Sequence, residues 1–306
     1  MPRPRGLRSV LVVAAFIGWA TASPASGQLI LDSRQTISFD RPESWAMKYF
    51  ASASLPATVS TRQPLEAGDW ELSLEYAQIP SLNEQQRQVG FNGTKTEDLN
   101  RIGFLLRPAA RVGVGKQVTL SASYLPPVEV DGVEPHILTL ALARPLHQAG
   151  RWRLGLGLLG QIGRTQGDLT CSAEQAAAGN DPVANPFECE APSNDEHRFR
   201  TIGLELGSSW QLGEQDAWTP YVALTLRYMD LEFQVDAVYA GLVDKTHLST
   251  DGSAWSGVGG VGYRFSQRWS ATVEVFYSPL EVVRPPSTTK QTDELLSVRA
   301  VVTYAF

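Results

Sequence analysis

Beyond its first 27 residues the 306-residue chain has no run of about 18 apolar residues, so nothing after that point can cross a bilayer as a helix. Positive charge is also scarce. Lys and Arg number 26 against 32 Asp and Glu, a formal charge of −6. That balance argues against a nucleic-acid partner, because binding phosphates needs clustered Lys and Arg. There are two cysteines, neither near the amino terminus, which argues against a lipoprotein anchor. With four histidines in the chain, one beside a Ser or an Asp is weak evidence of catalysis. No cofactor motif and no recognised metal-ligand spacing is present, so neither a cofactor nor a metal is expected.

The amino terminus carries a secretory signal pattern. Arg3, Arg5 and Arg8 precede an apolar core from Val10 to Gly18, and small residues then offer cleavage after Ala22 or after Gly27. Residues 1–27 are expected to be removed, taking the formal charge to about −9.

The remaining chain alternates. Counting back in twos from Phe306 gives Tyr304, Val302, Ala300, Val298 and Leu296, while the other parity gives Ala305, Thr303, Val301, Arg299, Ser297 and Leu295. About ten segments repeat this two-residue period. Their apolar faces begin Trp70-Leu72-Leu74-Tyr76, Ile102-Phe104-Leu106, Val118-Leu120-Ala122-Tyr124, Leu138-Leu140-Leu142 and Trp152-Leu154-Leu156-Leu158. The series continues through Ile202-Leu204-Leu206-Trp210, Val222-Leu224-Leu226-Tyr228, Trp255-Val261-Tyr263-Phe265 and Trp269-Ala271-Val273-Val275-Tyr277. A strand between lipid and a polar lumen needs this pattern, with the apolar face outward. A soluble sandwich also alternates. Two features weigh against it here: aromatics gather at both strand ends, and the polar faces are rich in Gly and Ala, as a crowded lumen requires.

Connections alternate in length. Short ones fall near 113–117, 147–151, 212–217 and 266–268, and long ones near 80–99, 126–135, 165–197, 231–253 and 281–292. Periplasmic turns and outer loops differ in this way. An even strand count then puts both termini on the periplasmic side, with Trp152, Trp210, Trp218, Trp269 and Phe306 in the inner girdle. Tyr76, Tyr124, Tyr228 and Tyr277 fall toward the outer one.

Over residues 69–306 the chain resembles Gram-negative outer-membrane β-barrels. That resemblance implies an all-β, antiparallel up-and-down transmembrane barrel of about ten strands, seated in outer-membrane lipid. It also implies recognition by the barrel-assembly machinery through Tyr304 and Phe306.

Ten strands leave room for a narrow passage or an inserted segment. The lumen is expected to carry Glu71, Glu75, Arg101, Arg107, Arg153, Glu205, Arg227, Arg264, Glu274 and Arg299. These charges must be paired or wet. They make either a network that seals the barrel or a selective channel. Residues 28–68 precede the first strand. Asp40-Arg41-Pro42-Glu43 reads as a helix start, with Asp40 as the N-cap, and Trp45, Ala46, Tyr49, Phe50 and Leu55 make an apolar stripe behind it. The segment is either a plug that gates a small solute or a periplasmic helix on the rim. In carrying a segment ahead of the barrel, the chain is similar to the long-chain fatty-acid transporter family, without that family's strand number or amino-terminal motif.

Cys171 and Cys189 lie in the longest outer loop, where export favours a single disulfide. The loop has no Lys or Arg from Thr165 to His197 but holds seven acids, a solvated surface or a binding and adhesion site. Asp195-Glu196-His197 resembles half of the omptin protease site, with the paired acids that would activate water absent. His247-Leu248-Ser249 resembles the His-x-Ser of outer-membrane phospholipases, without that family's orienting asparagine. The function expected is a narrow or plugged barrel passing a small solute, or a structural one. The other readings are a surface-binding barrel and, behind it, an outer-edge hydrolase.

Overall fold

The computed structural model describes residues 29–306; the signal segment and both cleavage points lie outside the described residues. Ten antiparallel strands form a closed ring: β1 (Trp70–Gln78), β2 (Phe104–Gly115), β3 (Val118–Leu125), β4 (Val133–Ala149), β5 (Trp152–Gly167), β6 (Asp195–Trp210), β7 (Trp218–Gln234), β8 (His247–Arg264), β9 (Trp269–Val282) and β10 (Gln291–Ala305). Each pairs with its neighbour in sequence, and β10 pairs back onto β1 through Val302 opposite Leu74. Closure leaves no edge, the condition for a sheet in hydrocarbon, where no water satisfies an unpaired strand. The protein is an all-β transmembrane barrel.

Its outer surface carries the apolar parity. Leu74, Leu140, Leu204, Val222, Leu226, Val273 and Leu296 are all exposed. On β6 the apolar face runs from Trp210 to Ile202 before Arg200 and Arg198 take over, about nine residues, the length of a tilted bilayer-spanning strand. The inner girdle is tightly made. Trp152 stands opposite Trp210, the Trp218 and Tyr263 rings lie 4.4 Å apart, and Phe306 stacks on Trp70 at 3.6 Å. Tyr304 packs edge-on against both Phe306 and Trp269.

Several strands run further outward than their apolar alternation. β7 continues to Gln234 and β8 begins at His247, so the loop between them is much shorter than residues 231–253. The reason is a reversal of polarity. Toward the outer end, Arg198, Arg200 and Glu232 face solvent while Phe199, Met229 and Leu231 are buried inside. There the wall has the polarity of a soluble protein, because water has replaced lipid outside. Ile102 belongs to this part too: it precedes β2 and packs inward rather than facing lipid.

The amino-terminal segment corrects the expected topology. Leu29–Leu31 pairs in parallel with Leu242–Asp244, and Arg34–Thr36 with His247–Ser249, both at the outer end. The chain then descends through the lumen as helix α1 (Pro42–Ala53) and an extended run, reaching the periplasmic side where Gly68 N–H donates to Gly113 O at 2.9 Å. The described amino-terminal end is therefore outside, although β1 starts at the periplasm. The helix starts one residue later than expected: Arg41 is the N-cap without a side-chain bond, Pro42 is the first helical residue, and Asp40 instead accepts from Ser38 Oγ and meets Lys290. Most faces of α1 are buried, not one stripe: Trp45, Met47 and Tyr49 meet apolar wall, while Lys48 and Ser52 meet polar groups of it.

Candidate solute-binding cavity and the threaded lumen

Residues 52–68 are held by the barrel wall step by step. Arg227 Nη2 donates to Ser52 Oγ at 2.9 Å. Arg107 Nη2 and Gln161 Nε2 both donate to Ser54 O, at 2.5 and 2.7 Å. Arg299 Nη1 donates to Pro56 O at 2.9 Å. The carboxylates take the amides: Glu274 accepts from Thr58 N–H at 3.3 Å, and Glu205 accepts from Val59 and Ser60 N–H at 3.0 and 2.7 Å. Below them Arg153 donates to Thr61 O and to the Gln63 side chain. An extended segment in a lumen has no partner strand for its own amides and carbonyls, and unpaired buried backbone is costly. The inward charges supply those partners.

The ten expected lumen residues divide accordingly. Arg107, Arg153, Arg227, Arg299, Glu205 and Glu274 converge on the threaded segment. Glu75 stands opposite Arg107 across β1 and β2, and Glu71 opposite Arg111. Arg101 is a correction, while Arg264 lines the periplasmic vestibule with Glu71 and Arg111 and does not reach the threaded segment. Arg101 lies in the first outer loop, where it pairs with Asp168, because β2 begins only at Phe104. Arg264 sits exposed at the periplasmic end of β8, donating to Gln215 O at 2.5 Å. Three wall residues were missed. Arg111 donates to Glu71 at 2.6 Å and to Gln63 O at 2.9 Å, and Tyr221 Oη donates to Glu274 at 2.8 Å; Gln161 is the third. Arg111 was within reach, since two further steps of two from Arg107 keep it on the inward face.

Glycines make the space. A methyl group on Gly155 would come closer than 3.0 Å to Ser60 O, and one on Gly113 would do the same to Glu66 O. At both points the wall and the segment approach backbone to backbone, and only Gly allows it.

The segment separates two spaces. On the periplasmic side is a vestibule of about 210 Å³ bordered by charged groups, among them Arg62, Glu71, Arg111, Asp216 and Arg268. On the outer side is a cavity of about 260 Å³. Its floor is α1 through Ala46, Met47 and Phe50, and its walls include Val89, Phe91, Leu99, Leu169, Phe233, Val235 and Leu248. The cavity is roughly 100 Å³ larger than one known to hold benzene.

Two ordered outer loops cover it. In the first, Lys95 is buried, donating to Glu97 at 2.7 Å and also to Thr170 O of the third loop. Burial pushes the Glu97 carboxyl up to about 7, against the pull of Lys95. The third loop is closed by the Cys171–Cys189 disulfide, Cα atoms 5.7 Å apart. Asp195 at the foot of that loop holds it: its carboxylate accepts from Ser193 Oγ at 2.7 Å, Asp236 N–H at 3.0 Å and Thr170 N–H at 2.5 Å. Those bonds occupy Asp195. It makes no hydrogen bond to His197, so the omptin-like half-site does not form a dyad; His197 lies between Phe50 and Phe199 instead. His247 and Ser249 do not bond to each other either; Ser249 meets Thr36 in the parallel pairing with the amino-terminal segment. No group of His, Cys, Asp and Glu among the described residues is placed to hold a metal ion.

No protein-family model and no curated protein sequence matches the chain. Solved structures do resemble it. The outer-membrane protease OmpT of Escherichia coli is 11% identical with a TM-score of 0.39, covering 78% of this chain and 92% of its own. The toluene transporter TodX of Pseudomonas putida is 10% identical with a TM-score of 0.35, covering 91% and 99%. The attachment invasion locus protein Ail of Yersinia pestis is 10% identical with a TM-score of 0.33, covering 78% and 99%. These neighbours are outer-membrane β-barrels, and what this chain shares with them is the fold of a closed antiparallel barrel. Superpositions this loose say nothing about what the chain does.

Proposed function

We propose that this protein captures a small, mainly apolar solute at the outer face of the outer membrane, with the threaded segment as the gate toward the periplasm. The observation that carries the reading is the apolar cavity above a lumen filled by residues 37–68. A concave, mainly apolar lining with a few polar groups, partly covered by ordered loops, is the character of a small-ligand site. The gate follows from how the segment is held. Its bonds to Arg107, Arg153, Glu205 and Glu274 are hydrogen bonds that water can replace if the segment shifts, so a wet, charged passage would open along the line it leaves.

Single-channel conductance of the refolded chain in planar bilayers, with and without residues 28–68, tests this. The intact chain should be silent or nearly so, and the shortened one should conduct steadily. Silence in both forms would mean a barrel closed by its own wall and would end the transport reading.

A further inference from the structure

Among the described residues that line the outer cavity, one alone has fully buried side-chain polar atoms without a partner. Arg41 pairs with Glu43, Glu43 also accepts from Asn92 N–H, Glu97 pairs with Lys95, and Tyr239 donates to Asp244. His197 borders the same cavity, is 1% exposed, and has no partner at Nδ1 or Nε2. Its ring is fixed in place by aromatic neighbours rather than by hydrogen bonds: Phe199 at 5.4 Å and Phe50 of the floor at 5.9 Å. A buried imidazole without a partner is costly, and an apolar side chain of similar size would fill the position without that penalty.

We infer that His197 is the specificity residue of this cavity, and that the solute is a neutral molecule with an apolar, ring-sized body and one hydrogen-bonding group, such as a phenol or a small alcohol. The inference rests on the solute-capture reading and narrows it. The apolar walls accept the body through area removed from water. A neutral imidazole has one N–H donor and one acceptor lone pair, so it can receive a hydroxyl proton or donate to an oxygen. A charged ligand would be stripped of water among mainly apolar walls, where the one cation of the described lining, Arg41, is already paired with Glu43, so a neutral solute is favoured over an anion.

The test compares two probes of matched shape, p-cresol and p-xylene, by equilibrium dialysis against the full chain in lipid nanodiscs, with protein-free nanodiscs subtracted. Wild type should bind p-cresol roughly tenfold more tightly than p-xylene, the scale of one hydrogen bond against an unpaired buried group. His197→Leu should lose that preference while keeping p-xylene, and His197→Gln should restore part of it. In wild type, the ring nitrogen resonances of His197 should move on adding p-cresol and stay put with p-xylene, a readout independent of whether any variant folds. Equal binding of the two probes, a preference that survives His197→Leu, or resonances that do not move would overturn the assignment and leave solute capture standing. Binding of neither probe would overturn both.

Discussion

Arg299 Nη1 lies 3.5 Å from Glu274 Oε1, both side chains are 1% exposed, and each also holds the threaded segment, at Pro56 O and Thr58 N–H. The pair therefore joins wall to segment as well as β9 to β10. The Arg299 guanidinium also lies over the Phe276 ring at 3.9 Å.

Replacing Glu274 by Ala leaves Arg299 buried without its counter-charge and Tyr221 Oη without its acceptor. Breaking one side of a buried pair costs about 3–5 kcal/mol. Urea unfolding of the refolded barrel, followed by its gel mobility shift, should show a loss of that order. Unchanged stability with altered ion selectivity would mean that water already reaches the pair.

Gly155→Val should displace the segment without opening the barrel. The added carbons fall where Ser60 O now lies, and that atom is backbone, so the segment must leave its place. Proteolysis between residues 55 and 68 should accelerate while the barrel keeps its folded gel mobility. Retained protection of this stretch would mean that the contact is looser than described.

The outer position of Leu29–Thr36 predicts that a tag attached there is reachable from outside the cell. An epitope placed immediately before Leu29 should be labelled by antibody on intact cells. Labelling only after the outer membrane is permeabilised would put the segment's start in the periplasm and contradict the threading.

Reducing the Cys171–Cys189 disulfide should loosen the third outer loop alone. For a bridge spanning 18 residues the chain-entropy model gives about 3 kcal/mol. Cys171→Ser with Cys189→Ser should be cut faster within residues 168–194, while the strand ladder, which does not depend on the bridge, unfolds at the same urea concentration. Equal protease resistance would show that Asp195 and its three bonds suffice to hold the loop.

The cover of the cavity should also depend on pH. In the folded loop the Glu97 carboxyl titrates near 7, above its ordinary value of 4.5, so folding favours its protonated form. Its contribution is fully favourable below about 4.5 and is lost as pH rises toward 7. Protease protection of residues 84–99 should fall over that range in wild type and stay flat in Glu97→Gln. An equal fall in both would assign the effect to another group.

The barrel was legible in the sequence because each lipid-facing position answers to the solvent directly beside it. Leu204 or Val273 must be apolar whatever the rest of the chain does, so alternation, strand number, the aromatic girdles and the parity of Glu205 or Glu274 could be read locally. The same rule misled where lipid gave way to water: Arg198 and Arg200 broke the apolar pattern while the strand continued, and the outer reach of β6–β8 was underestimated. Arg101, read as a wall residue, belongs to a loop whose course no periodicity describes.

What only the tertiary structure decided is what fills the barrel. Glu205 binds the amides of Val59 and Ser60 from about 145 residues away, and Arg153 meets Thr61 from 92. Such partners leave no periodic mark, because an extended segment bound through its backbone places little demand on its own side chains. The direction of the thread, the glycines that admit it, and the cavity that leaves His197 without a partner all arise from those distant pairings. Residue type and spacing determined which surface meets lipid; only the closed ring determined what lies within it.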